Sequence, residues 1–263
     1  MDEECQLKKI RMRKNVIFMA LAVFSIALCS CCGARVNVGR SRQFSKWLSV
    51  SGFNRIQEDG SMDVVYTQDS TNTWSVKIVG SKDDIQRVTA SVSQGTLVLS
   101  ERGSHVLNVN LFSNDRGLTV YVTSPDLLGV KLIGSGDFYA RGKVDTDNLD
   151  VSLQGSGDVS FGEVICDRCH SLLSGSGDLK MSRLTTGDLS IHCEGSGDAS
   201  FRHVNSKNST AILSGSGDVL LNFDRGDELR TILSGSGDIT VNGSLGHVWQ
   251  QKTGSGDINI SRN

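Results

Sequence analysis

Apolar residues in the second half of the chain fall into short alternating runs that return at a fixed interval. Apolar-x-apolar pairs stand at Val159 and Phe161, Leu179 and Met181, Ala199 and Phe201, Val219 and Leu221, Ile239 and Val241, and Ile258 and Ile260. A period of two describes a strand with one buried face. A second set of runs, Leu149-Val151-Leu153, Leu189-Ile191-Cys193 and Ala211-Leu213, predicts a further strand in each unit. Between the two sets, Val164, Leu184 and Val204 mark a bend or a third short strand.

The same four residues separate the runs. GSGD occurs seven times, at Gly134–Asp137, Gly155–Asp158, Gly175–Asp178, Gly195–Asp198, Gly215–Asp218, Gly235–Asp238 and Gly254–Asp257, with spacings of 21, 20, 20, 20, 20 and 19 residues. Two or three short strands cannot close a core alone, so successive units must stack. The expected fold is all-β: a right-handed parallel β-helix, a solenoid with coils of about 20 residues. A leucine-rich horseshoe would need a helical segment and an Asn/Cys ladder position, and a propeller blade needs roughly twice the period.

Coils stack at the strand spacing, so seven GSGD turns in register draw a stripe of about 29 Å along one edge. Glycine permits positive φ at a corner and leaves no Cβ to meet the coils above and below. Serine is expected to bond its neighbour in a ladder, and aspartate to accept backbone N–H groups as Asx residues do. The seven aspartates, Asp137, Asp158, Asp178, Asp198, Asp218, Asp238 and Asp257, are therefore the candidate site. Carboxylates about 5 Å apart repel by roughly 1 kcal/mol even in water. The stripe is then either a turn ladder satisfied by its own backbone or a ladder for cations such as Ca²⁺, which takes oxygen ligands. Uniformity favours the first, because a catalytic or single-ion site should break the repeat.

In residues 51–133 the strands continue without this punctuation: Met62-Val64-Tyr66, Trp74-Val76-Ile78, Val88 to Val92, Thr96 to Leu99, and Leu118-Val120-Val122, with Lys82-Asp83-Asp84 as a charged turn. This N-terminal β region is expected to be degenerate coils or a β-sheet that caps the regular GSGD-repeat β-helix of 134–263. Pro125, the single proline, marks the corner entering the regular coils. The polar, basic stretch 33–50 reads as a tether, the alternative being that Trp47 and Leu48 begin the fold.

Residues 1–32 read as a lipoprotein signal peptide. Lys8, Lys9, Arg11, Arg13 and Lys14 precede the apolar run Val16–Leu28, whose 13 residues are too few to span a bilayer. Leu28-Cys29-Ser30-Cys31 resembles a bacterial lipobox with Cys31 as the lipidated residue and Cys32 as the alternative; Met12 competes with Met1 as the start. Lipidation anchors a protein to a membrane rather than spanning it. The expected location is the bacterial cell envelope, at the outer membrane or in the periplasm, with surface exposure left open.

Composition excludes more than it identifies. A formal charge of −2 provides no electrostatic footprint for nucleic acid. Cys166-Asp-Arg-Cys169 has C-x-x-C spacing, yet Cys169 falls where other coils have Leu149, Leu189 and Leu229, and Cys193 where they have Leu153, Leu173, Leu213 and Leu233. Both read as core thiols, with a disulfide as the alternative. His105, His170, His192, His203 and His247 share no ligand spacing and read as surface residues. The chain has no nucleophile elbow, HExxH or phosphate loop, and no firm metal ligands.

The order FNRIQEDGSMDVVYTQ, QGTLVLS and LTVYVTSPDLLGVKLIGSGD, followed by GSGD copies, resembles the "putative auto-transporter adhesin, head GIN domain" family from Gly52 to Asn263. The resemblance implies an all-β, β-helix-like secreted or lipid-anchored bacterial envelope protein and carries over no catalytic residues. The expected function is a non-catalytic, adhesin-like or structural binding module on a lipid anchor, with a surface protein or glycan as partner. The alternative is a β-helix polysaccharide lyase or hydrolase acting on envelope or dietary glycans. Evenly spread acids and an aromatic content of 6% argue against an enzyme. The last strand, Ile258 to Ile260, leaves an open coil edge, expected to be covered by a second protomer, a partner or a segment of the first half.

Overall fold

The structure is a computed structural model that describes residues 43–102 and 117–263. The expected signal peptide, both candidate starts, Cys31, Cys32 and His105 lie outside the described residues. The remainder is a nearly all-β solenoid of about seven turns, its parallel coils about 20 residues apart.

In the regular region the two expected strands of each unit run together. β11 (Val159–Leu173), β12 (Leu179–Cys193), β13 (Ala199–Leu213) and β14 (Val219–Leu233) each extend from one GSGD turn to the next, followed by β15 (Ile239–Lys252) and β16 (Ile258–Arg262). Strict alternation would keep such a strand straight. In β11 the buried residues are Val159 and Phe161, then Val164 and Cys166, then Cys169, Ser171 and Leu173. Two consecutive outward residues, Gly162-Glu163 and Asp167-Arg168, separate the groups, and each slip turns a corner. With the GSGD turn this makes three sides per coil.

Neighbouring coils pair in parallel, in register across β11 and β12 from Val159↔Leu179 to Leu173↔Cys193. Identical positions therefore stack into files. Leu149, Cys169 and Leu189 form one buried file, and Cys193 pairs with Leu213 in another, as the leucine register requires. Phe138 and Phe161, from neighbouring files, pack their rings together with centroids 5.6 Å apart.

The N-terminal region combines coils with a cap. β2 (Arg55–Asp59) and β3 (Asp63–Gln68) form a coil that pairs in parallel with the next, β8 (Gly129–Leu132) and β9 (Phe138–Asp145); β10 (Asn148–Leu153) follows. Beneath it lie β6 (Thr96–Glu101) and β7 (Thr119–Ser124), also parallel. Stack order thus departs from chain order: the chain lays β6 and β7 under β2 and β3, then steps over that coil to reach β8. Pro125 stands at the step, where Gln68 donates to the carbonyls of Pro125 (2.9 Å) and Asp145 (2.8 Å).

Antiparallel strands finish this end. β4 (Ser75–Gly80) pairs with β7, β1 (Phe44–Leu48) with β4, and β5 (Val88–Ser93) with β6. The 33–50 stretch is therefore not a tether throughout, since β1 lies within it. Its strand leaves no alternating signal because Phe44 to Trp47 are all exposed. Nor is Lys82-Asp83-Asp84 a turn: it opens the short helix α1 (Lys82–Arg87), whose N-cap Ser81 accepts the Asp84 N–H at 3.2 Å.

Candidate functional site

The GSGD turns stack as one edge. A Cβ on any of their fourteen glycines would lie 1.6–2.1 Å from a backbone carbonyl oxygen of the coil below. Backbone contact, not torsion, demands glycine here. Among the described residues the positive-φ glycines are Gly52, Gly95, Gly142 and Gly243, none in a GSGD turn, so the expectation of positive φ is corrected. The serines join through their backbone, as in Ser156 N–H to Gly134 O at 3.0 Å, and their exposed side chains form no ladder among the described residues.

The structure brings the seven predicted aspartates into one file and adds an eighth. Asp137 N–H donates to Asp63 Oδ1 at 3.2 Å. Asp158 and Asp178 donate in turn to the Oδ1 below at 2.8 and 2.9 Å. Asp198, Asp218, Asp238 and Asp257 continue at 3.0, 2.8, 2.8 and 2.7 Å. Each interior carboxylate thus meets a backbone donor from the next coil, which relieves the repulsion along the file. The outward oxygens are less committed. Lys180 Nζ lies 3.0 Å from Asp178 Oδ2 and 3.5 Å from Asp158 Oδ2, so a side-chain cation bridges two rungs. Burial pushes the Asp178 pKa up, but the Asp198 N–H and Lys180 outweigh it and hold the group below its ordinary value. No cluster of three or more His, Cys, Asp or Glu suited to a metal occurs among the described residues.

The eighth rung is Gly60-Ser61-Met62-Asp63, and the ladder is capped at both ends. Below Gly60 no GSGD rung offers carbonyls. Glu101 Oε1 instead accepts the Ser61 N–H at 3.0 Å and its hydroxyl at 2.9 Å, while Glu58 Oε1 accepts the Met62 N–H at 3.2 Å. Burial raises the Glu58 pKa to about 7, against the Met62 N–H and with the charge of Glu101. At the opposite end no backbone N–H among the described residues reaches Asp257 Oδ1, and Lys252 Nζ donates to it at 2.6 Å. The last coil also carries Gln250 and Lys252 where its neighbour has Thr231 and Leu233. These polar side chains are exposed at register positions that are buried in the coil below, and polar residues at such positions blunt a sheet edge. β16 pairs with β15 alone, so no described segment of the first half covers it.

The sequence hid the eighth rung because Met62 replaces a glycine and a long excursion separates it from Gly134. Its GS-x-D pattern was the available signal.

A second feature appears where the repeat breaks. On the outward face of the sheet, cross-strand partners run Trp47, Lys77, Tyr121, Val65, Tyr139 and Ser160. Trp47 is 65% and Tyr139 41% exposed, and Lys77 Nζ sits 5.4 Å from the Trp47 ring centroid. A groove follows the row from Tyr121 to Ser160, lined by Asp63, Tyr121, Tyr139, Arg141, Ser160 and Ser182 among others. Sequence reasoning missed it because these aromatics are distant in the chain; outward tyrosines beside inward valines and phenylalanine were the clue.

The C-x-x-C pair faces inward. Cys166, Cys169 and Cys193 are buried free thiols, and Cys166 Sγ lies 3.6 Å from Thr186 Oγ1. A hydrogen bond between the pair holds Cys166 below and Cys169 well above the ordinary thiol value. His170, His203 and His247 are exposed and His192 half-buried, with no shared cluster.

Among curated proteins none matches the chain significantly. The fold is similar to the crystal structure of a "putative adhesin" from Bacteroides fragilis, at 25% identity and a TM-score of 0.74 over 83% of this chain and 97% of that one. It is also similar to a "putative adhesin" from Parabacteroides merdae (20%, TM-score 0.61, 86% and 98%). A "putative lipid binding protein" from Parabacteroides distasonis shares the fold at 17% identity (TM-score 0.65, 87% and 100%). The model of one family matches residues 52–244 and again 190–262, and with its strands, turns and stacking on the page the chain belongs to that family, "putative auto-transporter adhesin, head GIN domain".

Proposed function

We propose that the protein is a non-catalytic, adhesin-like binding module of the cell envelope, held by a lipid on Cys31 and using the face built by β1, β4, β7, β3 and β9 to bind. The observation that carries this reading is the outward row from Trp47 to Tyr139. Elsewhere the outward positions of the coils mix polar residues with aliphatic ones such as Leu172, Ile212 and Ile232 and the lone aromatic Trp249, whereas this row places three aromatic side chains together, two of them beside a groove. Exposed aromatics are favoured where a surface is built for contact. The family and the fold neighbours support an adhesin-like role in the same direction.

The stack has β1 at one end and β16 at the other. An anchor at Cys31 holds the protein by its β1 end. The test uses the full chain in a bacterial host that processes lipoproteins. Wild type should partition with membranes and incorporate a labelled fatty acid, Cys31→Ser should do neither, and a Trp47→Ala/Tyr121→Ala/Tyr139→Ala variant should remain anchored but lose adhesion of the cells to a surface. Adhesion retained by the triple variant would overturn the binding face; labelling retained by Cys31→Ser would move the anchor to Cys32.

A further inference from the structure

We infer that the aromatic face takes an extended β-linked glycan, lying across the strands with its sugar rings on Trp47, Tyr121 and Tyr139. This rests on the binding face proposed above and adds the chemical class of its ligand. Trp47, Tyr121 and Tyr139 lie on β1, β7 and β9, separated by β4 and β3. They therefore stand on every second strand, about 9.6 Å apart along the stack. An extended chain of β-1,4-linked sugars turns over at each residue, so equivalent ring faces recur every second sugar at about this interval.

The side chains suit the sugar chemistry. Tyrosine and tryptophan present a broad apolar face with a polar tip, matching a ring with an apolar C–H face and a hydroxyl edge. Val65, between Tyr121 and Tyr139, keeps the floor apolar and is only 8% exposed. Polar rows flank it: Thr119 pairs with Asp63 on one side, and Thr123, Thr67 and Arg141 follow one another on the other. These donors and acceptors lie where the hydroxyl edges would fall. A peptide strand docks at a sheet edge through backbone bonds, and this row crosses the middle of a face. A nucleic acid would require a basic footprint that a chain of net charge −2 lacks.

The test is calorimetric titration of the full chain with β-1,4-linked hexaoses of glucose, N-acetylglucosamine, mannose and xylose, each beside its disaccharide, with maltohexaose as the α-linked control. At least one β-linked hexaose should bind ten-fold or more tightly than its disaccharide, because only the longer chain reaches all three rings. Tyr121→Ala should weaken it ten-fold or more, Tyr121→Phe should keep most of the affinity, and Trp249→Ala, at the far end, should change nothing. Circular dichroism melts confirm that each variant is folded. If no β-linked hexaose binds, or binding ignores length and Tyr121, the inference is overturned. Loss of cell adhesion by the triple variant without glycan binding leaves the face standing and removes only its ligand class.

Discussion

The GSGD coils and the N-terminal end solve the same stacking problem under different constraints. In the coils each turn rests on an identical turn, and the carbonyl below every GSGD glycine leaves no room for a Cβ. At the lower end the rung from Gly60 to Asp63 rests on no such turn. There the third position is Met62, fully buried, and carboxylates of Glu58 and Glu101 take the N–H groups that carbonyls accept elsewhere. Sequence is therefore most constrained where the molecule touches its own copies. It is freer where the repeat stops, and there the outward aromatics gather.

The largest way to break this comparison is to add one methyl group to an interior rung. In Gly197→Ala the new Cβ would sit 1.9 Å from Gly177 O, so backbone must move. A loss of about 4 kcal/mol or more, or failure to fold, is expected by thermal or urea unfolding. Gly52→Ala meets nothing within 4 Å, and only its φ of 75° is strained. It should lose about 1 kcal/mol. Similar losses at the two positions would mean that stacking does not set the glycine requirement.

Next in size is the acidic cap. The Glu58 pKa is raised from 4.5 to about 7, so the folded protein holds a proton there that the unfolded chain releases. Stability from this group is fully present below about pH 4.5, falls as pH rises through about 7 and then levels, a total of about 3 kcal/mol. Glu101 and Asp59 add to the raised value by their charge. Glu58→Gln keeps an acceptor for the Met62 N–H and should flatten the profile over that window. An unchanged slope in the variant would assign the pH dependence to other groups.

Much of this fold was legible because a repeat samples each position several times. Cys169 and Cys193 could be placed in leucine files before any coordinates, since the 20-residue register leaves them no other position. The unrepeated parts had no such support. β1 has four consecutive exposed residues and no periodicity, and the crossing that places β6 and β7 beneath β2 and β3 depends on contacts distant in the chain. Of the candidate sites, the aspartate file could be read from a four-residue motif. The aromatic row could not, because it exists only when β1, β7 and β9 are laid side by side.

A smaller effect is expected within the ladder itself. Asp198→Ala leaves the Asp218 N–H, bonded at 2.8 Å in the native turn, without its carboxylate. About 1 kcal/mol should be lost. Asp198→Asn retains an oxygen acceptor and should lose less. Equal losses would show that charge, rather than the acceptor, matters at this position.

The smallest expected effect is that of calcium. From Asp63 to Asp238, each Oδ1 already accepts a backbone N–H, and at the last rung Lys252 occupies Asp257 Oδ1. The file thus has an internal source of positive potential at every step. A Ca²⁺ ion would have to rely on outward oxygens in solvent, one pair of which Lys180 already bridges. Thermal midpoints in EDTA, Ca²⁺ and Mg²⁺ should therefore coincide. A saturable, Ca²⁺-specific rise would mean that the outward oxygens bind cations in the native state alone, since only such binding stabilises by mass action. The regular coils would then carry a ligand site alongside the one proposed for the N-terminal face, and the contrast between a structural repeat and a proposed functional break would fail.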